Sequence, residues 1–287
     1  MTNFSLIVAT IGRTDQLGNL LQSLTQQTVR DFEVIIVDQN PEGFLADILA
    51  HYSPLMKITH LRSNRPGASR ARNIGIDRAV GKIITFPDDD CELPPDLLKS
   101  IGEIFRRSPA LAGLTISSRD KHFRGSIGRF ATRGGTITKF NILKRCIEAG
   151  IFLRRESLDG HRFDESMGVG AETPWWSDEG PDLLLAVMSD GGRIEFYPEI
   201  VIFHPDPVRE YDKKAIVRSM KYGRGRGHYL RKHAYPFWFV LYVWGLYVVG
   251  VFWGIAQLNL GKTKYYLNGL RGRIQGYLDG LERPVPG

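Results

Sequence analysis

The chain has little cysteine. Only Cys91 and Cys146 occur among 287 residues, and neither stands in a CxxC or Cys/His spacing, which argues against a structural zinc site. Acidic residues are absent from Lys213 through Leu278, a stretch that holds twelve of the 38 Lys and Arg. The net charge of +7 therefore belongs to the C-terminal region, since the remainder carries 26 basic and 31 acidic residues. A charge so placed excludes a general nucleic-acid coat and favours one anionic surface approached from one side. The first 200 residues also lack the basic-aromatic interleaving of single-strand binders, so no nucleic acid is expected as a partner. There is no internal repeat and no low-complexity linker. The N-terminus has no basic n-region and no cleavage signature, and the expectation is that the part preceding the basic tail faces the cytosol. With 43% hydrophobic and 24% charged residues the chain is globular. Its length suits one large α/β domain or one domain with an appendage.

Charge of either sign is missing from residues 235–260. This run is long enough to span a hydrocarbon core at 1.5 Å per residue. It holds three of the five tryptophans, together with tyrosines, the composition of an interfacial belt. Arg224, Arg226, Arg231 and Lys232 precede it, and Lys262 and Lys264 follow. Basic flanks on both sides give no orientation, and a re-entrant or interfacial helix pair explains them better than a single span. Residues 265–274 are amphipathic enough to lie on anionic headgroups. The alternative is a buried helical hairpin or an oligomer contact; membrane association is the expectation.

The first 204 residues alternate between two periods. Phe4–Thr10 is a short apolar run, and leucines at 17, 20, 21 and 24 then recur at helical spacing. Strands are expected at 31–38, 57–61, 81–86, 146–157 (through Ile151-Phe152-Leu153) and 193–204, and helices at 14–25, 43–51, 68–80, from Pro94 onward, and at 182–189. Residues 119–139, rich in Gly, Arg, Ser and Thr, suggest a long functional loop. Alternation of this kind implies a doubly wound, mostly parallel sheet, which binds ligands beyond the carboxyl ends of its strands. Thr10-Ile11-Gly12-Arg13, Asp38-Gln39-Asn40 and Asp88-Asp89-Asp90 all stand at such ends. Three adjacent carboxylates repel one another, so a solvated turn or a bound cation must relieve them. Hard oxygen ligands suit Mg²⁺ or Mn²⁺ that also holds phosphates.

In this order and spacing the residues resemble the family two glycosyltransferases of the GT-A fold, which use nucleotide-diphosphate sugars. The resemblance covers roughly residues 4 to 208. It rests on Ala9-Thr10-Ile11-Gly12-Arg13, on Val34-Ile35-Ile36-Val37-Asp38, on Asn64 with Gly67-Ala68-Ser69-Arg70-Ala71-Arg72-Asn73-Ile74-Gly75, and on the Asp88-x-Asp90 pair. It implies a GT-A (Rossmann-like) α/β domain over 1–208, with a mostly parallel central sheet flanked by helices. A basic and apolar helical region, 209–287, would then associate with the membrane. Asp38 would accept hydrogen bonds from the donor base, with UDP- or TDP-sugars favoured; as a bare residue it is a turn former or helix cap. Thr10 and Arg13 would lie by the nucleotide, and Arg13 and Arg70 would offer charged donors to phosphate. Arg72 and Asn73 would tie helix to sheet. Asp88 and Asp90 would match the metal-binding Asp-x-Asp, with one carboxylate on Mg²⁺ or Mn²⁺ and the other on ribose or sugar. Asp89 allows a register slip by one. His204 is offered as a third metal or pyrophosphate contact, against a purely structural role.

Family members place an Asp or Glu as base at the start of a helix, often in a Glu-Asp pair. Here Glu179 matches the Glu and Gly180 stands where the Asp is usual. Glu179 is the first choice as base, Asp182 the second and Asp178 the third, although carboxylates at a helix start also favour the macrodipole without catalysis. Trp175 and Trp176 would stack on sugar or lipid, or form local core. Arg218, Tyr222, Arg224 and Arg226 would fold over the pyrophosphate as a lid or meet lipid headgroups. The reaction implied is a single inverting displacement onto an acceptor hydroxyl of a polyprenyl-diphosphate-linked saccharide, in cell-surface polysaccharide synthesis. Its place would be the cytoplasmic face of the plasma membrane, peripheral or monotopic. Two alternatives stand beside it: a sugar-nucleotide pyrophosphorylase, which would carry a glycine-rich activating loop after the first strand, and a non-catalytic membrane scaffold that binds nucleotide sugar.

Overall fold

The first strand is apolar on both faces, as a strand covered by helices on both sides must be. In the computed structural model, which describes residues 3–121, 130–205 and 210–282, it forms β1 (Phe4–Thr10). The elements that follow are α1 (Asp15–Thr25), β2 (Phe32–Asp38), α2 (Ala46–Tyr52), β3 (Ile58–Arg62), α3 (Ala68–Ile76), β4 (Ile83–Thr85), α4 (Leu97–Arg107), β5 (Leu111–Arg119), β6 (Gly135–Thr136), β7 (Ile151–Arg154), α5 (Glu179–Ser189) and β8 (Arg193–Phe203). They build one mixed, mostly parallel sheet in the order β3-β2-β1-β4-β7-β5-β8-β6. β1 runs parallel to β2 and β4, β7 lies antiparallel between β4 and β5, and β6 is antiparallel to β8.

Alternation sorts β1 between two cores. Leu6 and Val8 join Leu17, Leu20 and Leu24 of α1 and Leu98, Ile101 and Phe105 of α4 on one face. Ile7 joins Ala71 and Ile76 of α3 and Leu183, Leu184 and Val187 of α5 on the other. A Leu, Ile or Phe moved from water into such a core contributes about 1.5–3 kcal/mol.

The elements follow the expected order with four differences. The helix expected over 68–80 stops at Ile76, because the chain after it is pinned to the sheet. Glu33 Oε1 accepts Val80 N–H at 2.9 Å, and Ser5 Oγ accepts Gly81 N–H at 2.8 Å. A Cβ on Gly81 would lie 2.5 Å from the Phe4 carbonyl carbon, so only glycine lets the backbone drop this close. Strand β5 was not anticipated. The helix expected from Asp182 begins three residues earlier, at Glu179. The long loop expected over 119–139 contains β6, and its part 122–129 lies outside the described residues.

The chain divides into two compact units. The first comprises Met1–Asp164 and Gly180–Asp206, which carry the sheet. The second comprises Glu165–Glu179 and Pro207–Gly287, with α6 (Lys213–Lys232), α7 (Phe237–Ala256) and α8 (Leu260–Glu282). The apolar run forms one uninterrupted helix, α7, joined to α8 by residues 257–259. It has a mean hydropathy of 1.9, and 28% of its apolar window is buried. The amphipathic stretch 265–274 lies within α8, and its glycines pack on α6 instead of leaving that face open. A Cβ on Gly223 of α6 would lie 2.5 Å from Gly269 O, and Arg273 of α8 is buried with its guanidinium 3.5 Å from the Tyr247 ring centre.

Candidate active site

The carboxyl ends of β1, β2 and β4 adjoin one another, so the turns after them converge. After β4 the buried Phe86 anchors the chain, and the triplet closes into a turn in which Cys91 N–H donates to Asp88 O at 3.0 Å. Glu92 pairs with Phe203 at the end of β8, which brings His204 to the triplet. Its Nε2 lies 3.5 Å from Asp88 Oδ2 and 3.4 Å from Asp90 Oδ1, while Nδ1 lies 2.8 Å from the Pro205 carbonyl. Nδ1–H donating there leaves Nε2 facing the carboxylates, the orientation of a ligating histidine.

The three aspartates have separate environments. Asp89 is buried and turned away from His204; it accepts the Thr10 hydroxyl at 2.8 Å and Arg13 Nη1 at 2.7 Å. The same Arg13 nitrogen reaches Asp90 Oδ2 at 2.7 Å. Burial raises the Asp89 carboxyl above its ordinary value, against the opposing pull of Arg13 and Thr10. Asp88 accepts Arg72 Nη2 at 2.9 Å. Dense packing pushes its carboxyl up, but His204 and Arg72 outweigh that and bring it to about 2. Burial pushes His204 down, but Asp88 and Asp90 raise it to about 9.

Asp88, Asp90, Cys91 and His204 offer ligand atoms that all lie within 4.8 Å of one another. Asp90 Oδ1 is buried with no hydrogen-bond partner among the described residues, an acceptor that a cation would satisfy. Burial, then the charges of Asp88 and Asp90, push the Cys91 thiol up, so it remains a neutral soft group. The donor set that fits Mg²⁺ or Mn²⁺ is therefore Asp88, Asp90 and His204.

Asp38 faces Thr10 in the register of β2 and β1 and is 1% exposed. Asn40 donates to its Oδ1 through N–H and Nδ2, both at 2.8 Å, and His60 Nε2 lies 3.0 Å from Oδ2. Arg62 Nη1 stands 3.9 Å from Oδ2. Both oxygens are thus held within the protein, and the half-exposed groups beside Asp38 are His60 and Arg62. Gln39 Oε1 accepts Gly67 N–H at 2.7 Å, which fixes the entry to α3 and places Arg70 in its first turn.

Glu179 opens α5 and is buried, as is Asp182 one turn on. Gly180 between them has no room for a side chain. A Cβ there would lie 2.9 Å from Glu148 Cγ and 3.0 Å from Glu148 Oε1 and Ile151 Cδ1, and Glu148 Oε1 accepts Gly180 N–H at 3.3 Å. Gly180→Asp is expected to lower stability by about 1–3 kcal/mol through overpacking, measured by urea unfolding, without raising turnover.

The family model for glycosyl transferase family 2 matches residues 5–161. The chain belongs to this family. A relative of that kind is the GalNAc(5)-diNAcBac-PP-undecaprenol beta-1,3-glucosyltransferase of Campylobacter jejuni, 23% identical over 182 residues, 61% of this chain and 59% of that protein. Among solved structures, S. aureus TarS 1–349 in complex with UDP superposes with a TM-score of 0.61 at 17% identity, over 97% of this chain and 92% of that one. The mannosyltransferase PcManGT from Pyrobaculum calidifontis, in complex with GDP-Man and Mn²⁺, gives a TM-score of 0.61 at 17% identity, over 99% and 76%. These likenesses establish the GT-A fold. The chain spans no more than 59%, and as little as 15%, of the length of eight curated relatives it matches.

Within this family 2 chain, the structure brings Thr10, Arg13, Asp88, Asp89, Asp90 and His204 into one cluster. Arg13 spans two carboxylates of the triplet, and Thr10 is spent on Asp89. Asp178, third choice as base, has both oxygens held by Arg226 at 2.7 Å. Of the residues considered for a lid, Arg224 is tied to Asp279 at 2.6 Å and Arg218 to Tyr222 Oη at 2.8 Å. Trp175 is buried, stacked on His228 with ring centres 3.5 Å apart. Three residues escaped sequence reasoning: His60, Arg62 and Glu148. The alternation His60-x-Arg62 on one face of β3 was a legible signal for two of them; Glu148 had none, because its role arises only from packing against Gly180.

Proposed function

We propose that the protein is an inverting, metal-dependent glycosyltransferase. It transfers a sugar from a nucleoside-diphosphate donor, UDP- or TDP-linked, to a hydroxyl of a lipid-linked saccharide. The observation that carries this is the Asp88, Asp90 and His204 cluster at the carboxyl ends of the strands, with its unsatisfied buried Asp90 oxygen. A divalent cation held there would supply Lewis-acid stabilisation of the departing diphosphate. Arg72 holds Asp88, and Arg13 holds Asp89 and Asp90, so that the carboxylates are aimed in advance. Asp38, with His60 and Arg62, would receive the base, and Arg70 the phosphates. Glu179 takes the acceptor's proton as the acceptor oxygen bonds to C1 and the bond from C1 to the phosphate oxygen breaks, with the electron pair leaving on the nucleoside diphosphate. Thr10-Ile11-Gly12-Arg13 is not a glycine-rich activating loop, which weighs against a pyrophosphorylase.

The acceptor class draws on the Campylobacter relative, whose name carries an undecaprenyl diphosphate, and on α7. Trp238, Val249, Phe252 and Trp253 of that helix are each more than half exposed, beside a region without acidic side chains. Such a surface suits an anionic membrane on its cytoplasmic face, with cell-surface polysaccharide synthesis as the setting.

The test uses full-length protein, Mn²⁺ and a panel of nucleotide sugars, with release of nucleoside diphosphate as readout. Glu179→Gln should lower turnover roughly a hundredfold or more with donor affinity unchanged; near-normal turnover would remove Glu179 as base. Because Glu148 presents a carboxylate at Gly180, Glu148→Gln measured alongside decides between the two acids.

A further inference from the structure

The residues just before Glu179 dock one after another on α6. Trp175 stacks on His228. Lys221 Nζ sits 3.5 Å over the centre of the Trp176 ring. Ser177 Oγ lies 2.9 Å from Tyr222 O, and a Cβ on Gly225 would lie 2.5 Å from Ser177 N, so helix backbone meets segment backbone directly. Asp178 accepts Arg226 Nε and Nη2, each at 2.7 Å, in a two-pronged pair. Residues 221, 222, 225 and 228 follow helical spacing, so one face of α6 templates the segment 175–178.

Asp178 is held in an unfavourable backbone state. Its φ is +70°, in the left-handed region that residues with a Cβ rarely enter, and it is 4% exposed. Strain of this kind persists only where surrounding contacts enforce it, and it gathers at functional sites. Here the enforcing contact is the Arg226 fork, whose planar geometry fixes direction as well as charge. The residue so fixed immediately precedes Glu179 and sets how the chain enters α5.

We infer that Arg226 and Asp178 are a positioning pair that orients the Glu179 carboxylate for proton abstraction. This rests on the reading of Glu179 as base. Glu165–Glu179 fold with the C-terminal helices, so the pair and the carboxylate it orients belong to one compact unit.

The experiment is a double-mutant cycle on full-length protein, read as nucleoside-diphosphate release and donor KM. Asp178→Asn keeps the shape and tolerates the left-handed backbone but loses the charge. It should lower kcat roughly thirtyfold with donor KM within about twofold, since small misplacements of a reacting group carry penalties of up to about a hundredfold. Added to Glu179→Gln, it should cost nothing further, because residues acting as a unit are not additive. Arg226→Lys retains the charge opposite Asp178 and loses the fork; it should lower kcat about tenfold, and it carries the test if the Asn variant fails to fold. Wild-type kcat in Asp178→Asn or Arg226→Lys overturns the inference, as does full additivity with Glu179→Gln. Wild-type kcat in Glu179→Gln alone overturns instead the assignment of the base.

Discussion

Replacing Asp88 and Asp90 together by asparagine will lower donor turnover on the order of 10⁴-fold and abolish stabilisation by Mn²⁺. A Lewis acid at a departing diphosphate is worth several kcal/mol, and each 1.36 kcal/mol is tenfold in rate. The amides preserve side-chain size, so Arg72 and His204 keep neutral partners and the fold survives. Thermal unfolding with and without Mn²⁺ separates binding from turnover, because an ion bound only by the native state raises the apparent midpoint. Asp89→Asn is the internal control. Asp89 faces Thr10 and Arg13 and stands outside the ligand cluster. It should cost stability and leave the Mn²⁺ effect in place. Undiminished activity in the double variant would overturn the proposed function.

A divalent cation taken up by the same cluster would compete with a proton. Asp88, at about 2, is already ionised at neutral pH, whereas His204, at about 9, is protonated. An imidazole must lose its proton to ligate. Apparent Mn²⁺ affinity should therefore rise roughly tenfold per pH unit on approach to pH 9 and level off above it. In His204→Asn the slope should vanish; titration calorimetry across pH 6–10 reads both.

What the sequence made legible follows from the range of the interactions. The strands that end in Thr10, Asp38 and the triplet are local apolar runs, so their carboxyl ends could be placed from periodicity alone. The division of labour within Asp88-Asp89-Asp90 could not. It depends on Arg13 and Thr10 arriving from β1 and on His204 arriving more than a hundred residues later, through the Glu92 pairing with Phe203. Asp38 illustrates the same limit: its position at a strand end was plain, but the approach of His60 and Arg62 from β3 is a tertiary fact. For the basic stretch 218–226 the sequence left two roles open, a lid or a contact with lipid headgroups. Arginines in a glycine-rich helix suggest a mobile cover, yet Arg224 and Arg226 are each matched to a carboxylate distant in sequence. The glycines serve close packing against α8 and the segment 175–178.

That packing sets the second large effect. Gly227→Ala is expected to destabilise the C-terminal unit by about 3 kcal/mol or more, above the usual range for one added methyl, because the collision is with backbone. A Cβ at Gly227 would meet Arg273 O and lie 2.6 Å from Tyr277 N and 3.0 Å from the Arg273 carbonyl carbon. Gly276, on the facing helix, would lie 2.7 Å from the Arg224 carbonyl carbon. No rotamer change relieves such contacts; α6 and α8 must separate, and each gap forfeits dispersion contacts along both helices. Gly245 of α7 is the contrast, with nothing within 4 Å of its Cβ position, so Gly245→Ala should be neutral or stabilise by up to about 1 kcal/mol through helix propensity. Urea unfolding followed by tryptophan fluorescence measures both variants, since α7 carries Trp238, Trp244 and Trp253. Because α6 also carries Arg226, Gly227→Ala should lower kcat even at temperatures where it stays folded. Wild-type stability in Gly227→Ala would mean that α6 and α8 do not approach as closely as their glycines allow, and the docking of Asp178 on α6 would lose its foundation.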